Sequence, residues 1–499
     1  MKKNLLTRAG ALGLSVLMMS GITACTGSDG DGSKGGSSDG EKPSEITVTA
    51  TTCMTFENGL QLVCDKYEEL TGIKLKVDKP DHNKYYEKVT LSFASENPSD
   101  VIELGSTYYP EYANNGVLWD MTEAWDNTDA PAKAITDEAY VDALKIDGSL
   151  YGFPMAAGNG TITYVRQDWL DDAGLELPKT YDEFIDMLRA FKARGNGAIP
   201  ITAAGLINSE TPYDIYLREF YQDAYPDFYL DEATGKYVDG FGEDAMKNAM
   251  QRMRDAYAEG LIDAEIVTNK TSTCRDKLNS GLVGCFNYWA GMWNAKLEDA
   301  TKLDDGSNAD LVPMPPIEGV KYIERVPTPL VITTYAENPQ GIFDYFLMYS
   351  HDGGEGQMLF THGVDDAWAQ EKGEAKGGHY KINEDGSYEA LPYWEDENKN
   401  VEKSFYAPEL TITTWDDPIA LDPRVVESLG VYQENRQFAT VPIVSDVIAD
   451  NLANLNVVKG EVLANVVHGN MTAEEGMQDY ATRAGDYVAA ILADLNGEG

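Results

Sequence analysis

Between Lys145 and Phe184 the chain reads KIDGSLYGFPMAAGNGTITYVRQDWLDDAGLELPKTYDEF. Its centre, Ala156-Ala157-Gly158-Asn159-Gly160, has almost no side-chain bulk and so cannot fill a core. That backbone is left to lie against something else, such as a ligand. The flanks are well marked. Asp147-Gly148 is a turn dipeptide, and Pro154 restricts Phe153 to extended geometry. Ile162 and Tyr164 read as a strand, and Gln167 to Ala173 as a helix stopped by Gly174. Thr180 with Glu183 is a capping box that opens the next helix.

At 499 residues the chain exceeds one hydrophobic core, so two domains or more are expected. Before the bare run, Ile46, Val48 and Ala50 alternate as a strand, and Leu60, Val63, Tyr67 and Leu70 mark a helix face ending at Gly72. Ile73, Leu75 and Val77 form a second strand, about Asn83 to Ser95 a second helix, and Val101 to Leu104 a third strand. This order predicts a parallel sheet with helices on its faces. After the run come a helix from Tyr181 to Ala193, a strand near Ile199 to Ala203, and a helix near Tyr213 to Gln222. A hairpin or loop at Asp231 to Val238 and a long amphipathic helix from Glu243 to Glu259 follow. A short helix holds Cys274 and Leu278, and a strand from Leu282 to Asn287 runs into Tyr288-Trp289-Ala290-Gly291-Met292-Trp293. Leu330 to Thr334 reads as a strand, Asn338-Pro339 as a helix start, and Thr472 with Glu475 as a further capping box. His351 to Leu421 shows little periodicity.

Asp147, Gly148, Tyr151, Gly152 and Pro154, then Tyr164, Gly174, Pro178, Thr180, Tyr181, Glu183 and Phe184, keep their spacing over some forty residues. This pattern resembles the first inter-lobe crossing of the family 1 extracellular solute-binding proteins of ABC transporters. Val165 stands where that family usually has Asn, and Tyr181 where it usually has Trp. Glu68 with Thr71-Gly72-Ile73, Asp100-Val101 and Gly116-Val117-Leu118 also match its patterns, as do Gly353-Gly354-Glu355-Gly356 and Asp385-Gly386-Ser387-Tyr388 of its larger members. The likeness is clear from about Glu45 to Ser350.

The resemblance implies a periplasmic-binding-protein-like α/β fold: two α/β lobes joined by a multi-segment hinge, with a ligand cleft between them. Residues 45–157 plus about 328–365 would form the first lobe, and 158–327 plus about 366–499 the second. It implies a monomeric receptor that captures a carbohydrate, most simply an oligosaccharide, and delivers it to the permease subunits of an ABC importer. Two other readings stand beside it: a surface-anchored glycan-degrading enzyme, and a binding protein for a peptide or other non-sugar solute.

The N-terminus reads as an export signal, residues 1–24. Lys2, Lys3 and Arg8 precede an apolar run, Ala9 to Met19, that is too short to span a bilayer. Ile22-Thr23-Ala24-Cys25 looks like a lipobox, with Cys25 lipidated and 25–44 a Gly/Ser-rich tether to the extracellular face of the membrane. Four cysteines remain, Cys53, Cys64, Cys274 and Cys285, in two pairs each 11 positions apart. Three disulfide connectivities are possible. The local one, Cys53–Cys64 with Cys274–Cys285, is favoured because each pair joins a strand region to an adjacent helix; the alternative is four buried free thiols.

The formal charge of -44 repels nucleic acid and anionic membranes. P-loop, nucleophile-elbow and zincin motifs are absent. His82, His351, His362, His379 and His468 lack metal-ligand spacing, so no metal and no cofactor are expected. Asn383-Glu384-Asp385-Gly386 is like an EF-hand start, but Pro392 stands at position 12, and a β-turn explains it more simply. With 83 Asp and Glu, carboxylate pairs at glycosidase spacing are bound to occur and carry no weight.

Aromatic residues are more informative. The chain has 29 Tyr and 8 Trp, many in expected loops. A sugar offers an apolar C–H face to a ring and a hydroxyl rim to Asp, Glu, Asn and Arg. Open α/β sheets bind ligands at strand carboxyl ends. Candidates there are Glu57 and Asn58, Tyr108 and Tyr109, Asn159, Trp289 and Trp293, and Trp368. Each has a plainer alternative: helix capping for Glu57 and Asn58, a turn for Asn159, core packing for the aromatics. Bulky replacements at Gly158 or Gly160 are expected to harm binding more than stability.

Overall fold

The computed structural model describes residues 41–51, 54, 60–81, 84–105, 108–128, 138–146, 148–153, 160–204, 206, 217–231, 233–303, 305–324, 328–374, 377–391, 419, 422–438 and 446–498. Two sheets carry the fold. Their strands are β1 (Glu45–Thr49), β2 (Lys74–Asp78), β3 (Val101–Glu103), β4 (Gly152–Phe153), β5 (Thr161–Arg166), β6 (Ile199–Thr202), β7 (Val283–Trp289), β8 (Leu311–Met314) and β9 (Leu330–Ile332). The first sheet has the order β2-β1-β3-β9-β4 and the second β8-β5-β7-β6.

In the first sheet β1 pairs in parallel with β2, Glu45 opposite Lys74, and with β3, Val48 opposite Val101. The parallel β-α-β order expected from the alternating apolar residues is present. Helices α1 (Leu60–Thr71) and α2 (Tyr85–Ala94) make the connections. β9 returns antiparallel to β3, and β4 pairs antiparallel to β9. In the second sheet β7 lies antiparallel to β5 and parallel to β6, and β8 closes the edge antiparallel to β5. Each sheet has its own apolar cluster. One spans Ile46 to Phe153 and Leu330 to Ala369; the other spans Ile162 to Ile323 and Tyr432 to Ile491.

Local signals behave as their chemistry dictates. Helix α3 (Gln167–Ala173) stops at Gly174, left-handed at φ 64°. Helix α4 (Tyr181–Ala193) opens on the reciprocal Thr180–Glu183 box. Asn338 caps the turn that begins at Pro339. Helices α5 (Thr271–Asn279) and α6 (Met292–Ala300) flank β7 in sequence. The C-terminal part supplies α7 (Pro423–Glu434), α8 (Asp446–Val467) and α9 (Ala473–Leu495), the last with its Thr472–Glu475 box.

The boundary expected near 365 falls inside the first lobe. Ala369 is buried in the first cluster, Trp368 packs on it, and Asp365 bridges to Tyr380 of the hairpin Tyr380–Ile382 with Tyr388–Ala390. Asp385 in that hairpin accepts from the backbone N–H and hydroxyl of Ser387 at 3.0 and 2.7 Å, which is turn chemistry.

The expected disulfides require correction. Cys64, Cys274 and Cys285 are free and buried; Cys53 lies outside the described residues. The reason is the sheet. Cys285 sits opposite Ile201 in the β7–β6 pairing, whereas Cys274 takes the hydroxyl of the next residue, Thr202, at 3.6 Å. Neighbouring strand residues project to opposite faces, so β6 and β7 lie between the two thiols. Sequence proximity to one helix and one strand does not reveal which face each presents.

Candidate functional site

The crossing leaves the first sheet at Phe153 and enters the second at Thr161. The strand ends on that side are the carboxyl ends of β1 and β3 in one lobe, and of β6, β7 and β8 in the other. Gly160, at the end of the crossing, has no room for a side chain. A Cβ there would lie 2.3 Å from the Tyr432 hydroxyl oxygen.

Trp289 is the last residue of β7, and three contacts fix the loop that follows it. Its carbonyl accepts from the Tyr164 hydroxyl at 2.8 Å, and Ala290 N–H donates to Gly160 O at 3.1 Å. Gly291, at φ 78°, donates to Ser428 Oγ at 2.8 Å. Any Cβ at Gly291 would stand 3.0 Å from Leu429. The indole itself is partly buried against the second core and, among the described residues, makes no ring stack and no cation contact. Trp293 differs: it meets Tyr288 edge-on at 4.8 Å and lies under Arg275 at 5.2 Å and Lys296 at 4.8 Å.

On the first lobe Tyr108 stacks on Tyr86 with ring centroids 3.7 Å apart and planes within 12°. Gly105 N–H donates to the Tyr86 hydroxyl at 2.9 Å, and a Cβ at Gly105 would sit 2.5 Å from that oxygen. Burial pushes the Tyr86 phenol up to about 12. Beside it, the buried Glu103 carboxylate accepts from Thr51 N–H at 2.7 Å. The Tyr85 hydroxyl lies 2.8 and 3.0 Å from the carbonyls of Glu103 and Thr49. The Glu103 bond holds Thr51, two residues beyond the end of β1.

Two further candidates, Tyr109 and Trp368, lie elsewhere. Tyr109 is 3% exposed; its hydroxyl donates to Leu144 O and accepts from Tyr151 N–H, so its ring is core and offers no ligand face. Trp368 donates to Glu69 at 2.9 Å, with Lys66 and Lys372 over its ring at 5.1 and 5.3 Å. Lys66 and Glu69 belong to the second half of α1, away from the strand carboxyl ends. Glu57, Asn58, Asn159, Cys25 and Cys53 lie outside the described residues.

Sequence reading missed the groups behind the site. Ser428 and Tyr432 share the buried face of α7 with Val425, and a Ser and a Tyr on an apolar helix face were the available signal. Glu219 is fully buried beneath β5 and β7. It accepts from the Thr163 hydroxyl at 2.6 Å, and its other carboxylate oxygen has no partner among the described residues. Asn287 donates to the same hydroxyl oxygen. Burial pushes the Glu219 carboxyl up. Among the described residues no group of three His, Cys, Asp or Glu could hold a metal, and no helix is long and apolar enough to cross a membrane. A groove of about 530 Å³ between α1 and edge strand β2, lined in part by Leu60, Cys64 and Val77, lies on the outer edge of the first lobe, away from Trp289.

The model of the bacterial extracellular solute-binding proteins matches residues 55–348, more than half of the chain. The chain belongs to that family. Among curated relatives it is 33% identical over 192 residues to the diacetylchitobiose binding protein DasA of Streptomyces coelicolor, covering 38% of this chain and 43% of that one. It is 25% identical over 315 residues to lipoprotein LipO of Bacillus subtilis, covering 60% of each. It is also 25% identical over 251 residues to the fructooligosaccharide ABC transporter substrate-binding protein FusA of Streptococcus pneumoniae, covering 46% of each. The chain thus spans about half the length of these relatives. The N-glycan transport solute-binding protein NgtS of Streptococcus pneumoniae shares the fold at TM-score 0.66 and 15% identity, over 92% of this chain and 99% of that one. The alginate-binding protein AlgQ2 does so at 0.63 and 19%, over 92% and 98%. The expected two-lobed periplasmic-binding-protein-like fold is the fold of this chain.

Proposed function

We infer that this protein is a lipid-anchored extracellular receptor that closes on a carbohydrate, an oligosaccharide, and passes it to the permease of an ABC importer. The observation that carries the reading is the Trp289 indole, at a strand carboxyl end where the backbone is held by Tyr164, Gly160 and Ser428, with its ring uncommitted to any described aromatic or cation. Such a ring packs the C–H face of a sugar. Tyr108 supplies a second ring on the opposite lobe. DasA and FusA carry sugar ligands in their names, which agrees with this class of ligand. Closure by hinge motion would bury the sugar between the lobes, and the ligand's preference for the closed state would drive it. Cys25 is the anchor in this reading, a role in keeping with the lipoprotein relative. The protein acts as a monomer and does not turn its ligand over.

A thermal-shift panel of mono- and oligosaccharides tests this. Stabilisation by an oligosaccharide with no new reducing ends over hours is the expected result. Appearance of reducing ends would make the protein a glycan-degrading enzyme. A shift with peptides and with no sugar would remove carbohydrate as the ligand.

A further inference from the structure

Arg275, in the second turn of α5, is placed unlike the ion-paired arginines of this chain. Its guanidinium donates to the Tyr288 hydroxyl and lies over two rings, 5.5 Å from the Tyr288 centroid and 5.2 Å from that of Trp293. It makes no ion pair with any described carboxylate. Arg166, Arg189, Arg194 and Arg424 each have one, at 2.6, 2.7, 2.8 and 2.6 Å. Arg254, which also lacks one, is spent on the Met471 carbonyl at 2.7 Å, whereas Arg275 donates only to a phenol among the described residues.

Rings on the guanidinium faces leave its edges as the donor surface, and a planar fork matches a carboxylate edge to edge. Tyr288 and Trp293 flank the Trp289 loop, so the cation stands at the same end of β7 as the uncommitted indole. Tyr288 is itself buried, so a ligand of two or more sugar units lying over the strand end would meet the half-buried Trp289 ring and Arg275 rather than the phenol. A protein of formal charge -44 repels anions at long range, so accepting one requires a local cation.

We propose that Arg275 is a carboxylate-binding subsite and that the ligand is an acidic oligosaccharide carrying uronate groups. This rests on the carbohydrate reading above and narrows it.

The test is calorimetric titration of the full chain in detergent with trimers of galacturonate, glucuronate and mannuronate, with their methyl esters, and with neutral oligosaccharides. At least one acid should bind about tenfold or more tighter than its ester, with an advantage that shrinks as salt rises. Arg275→Gln should bring that acid to within about threefold of the ester and leave the ester's affinity unchanged, while Arg275→Lys falls between. Equal binding of acid and ester by the wild type overturns the proposal. So does an Arg275→Gln variant that weakens both alike, the mark of a structural role. Binding of neutral oligosaccharides alone overturns the acidic subsite and leaves the receptor reading standing. Binding of no carbohydrate removes both.

Discussion

Ser428 Oγ and Tyr164 Oη lie 2.9 Å apart, joining a helix from beyond residue 422 to the first strand after the crossing. The same Ser428 oxygen accepts from Gly291, and the Tyr164 hydroxyl donates to the Trp289 carbonyl. A C-terminal segment therefore braces the loop that presents the indole. Ser428→Ala should lower stability by about 1–2 kcal/mol, because it strands the buried Gly291 N–H and removes the donor to the Tyr164 oxygen. It should also weaken sugar binding without touching the sugar. Urea melts and titrations read both, and unchanged affinity would remove the bracing role.

The tryptophans should separate by function. Trp289→Ala is expected to cost about 2 kcal/mol or more of binding and little stability, since its ring is only partly buried. Trp368→Ala, whose indole lies against the far half of α1, should leave affinity unchanged and loosen the Glu69 contact. Calorimetric titration of both with the responding sugar is the check. Equal losses would refute the assignment of the site to the β7 end.

Gly160 now carries a different expectation from the one its sequence context implies. Its position against buried Tyr432 makes Gly160→Ala an overpacking change, expected to destabilise by about 1–3 kcal/mol. In a Tyr432→Ala background that cost should shrink, which a double-mutant cycle measures. A cost that persists in full would place its origin elsewhere.

Glu219 should make stability fall as pH rises. Burial raises its folded-state pKa, so above the unfolded value of about 4.3 the folded state holds a proton that the unfolded chain has released. Each unit of pH through that window then favours unfolding. Glu219→Gln keeps the shape, stays neutral and removes this slope. Urea melts from pH 4.5 to 7 should show the variant gaining on the wild type. A gap independent of pH would count against the raised carboxyl.

The free thiols are also measurable. Burial pushes Cys64 up to about 12 and Cys274 up to about 11, so both should resist alkylation in the native protein. Denaturation without reductant should expose Cys64, Cys274 and Cys285 to the reagent together. Mass spectrometry counts the added groups, and protection of Cys274 and Cys285 that only reductant lifts would restore the disulfide.

Local chemistry was legible along the chain. The Thr180–Glu183 and Thr472–Glu475 boxes, the Gly174 stop and the Asn338-Pro339 start depend on residues within a few positions of one another, so their energies are set before the chain folds. The parallel β-α-β opening followed from periodicity, and the two-lobed architecture from the family resemblance that the spaced residues between Asp147 and Phe184 carry. Faces and partners were not legible. Whether Trp289 is uncommitted while Trp293 and Trp368 lie under cations depends on Arg275, Lys296, Lys66 and Lys372, which other elements or other turns bring in. Tyr108 and Tyr109 are adjacent in sequence, yet one stacks on Tyr86 and the other is core, because successive residues of a helical turn point about 100° apart. Likewise, which sheet face Cys274 and Cys285 occupy, and that Ser428 would reach Tyr164 across 264 positions, were decided by strand pairing and helix docking. Those long-range contacts form only when the sheets assemble, and short-range sequence pattern carries no term for them.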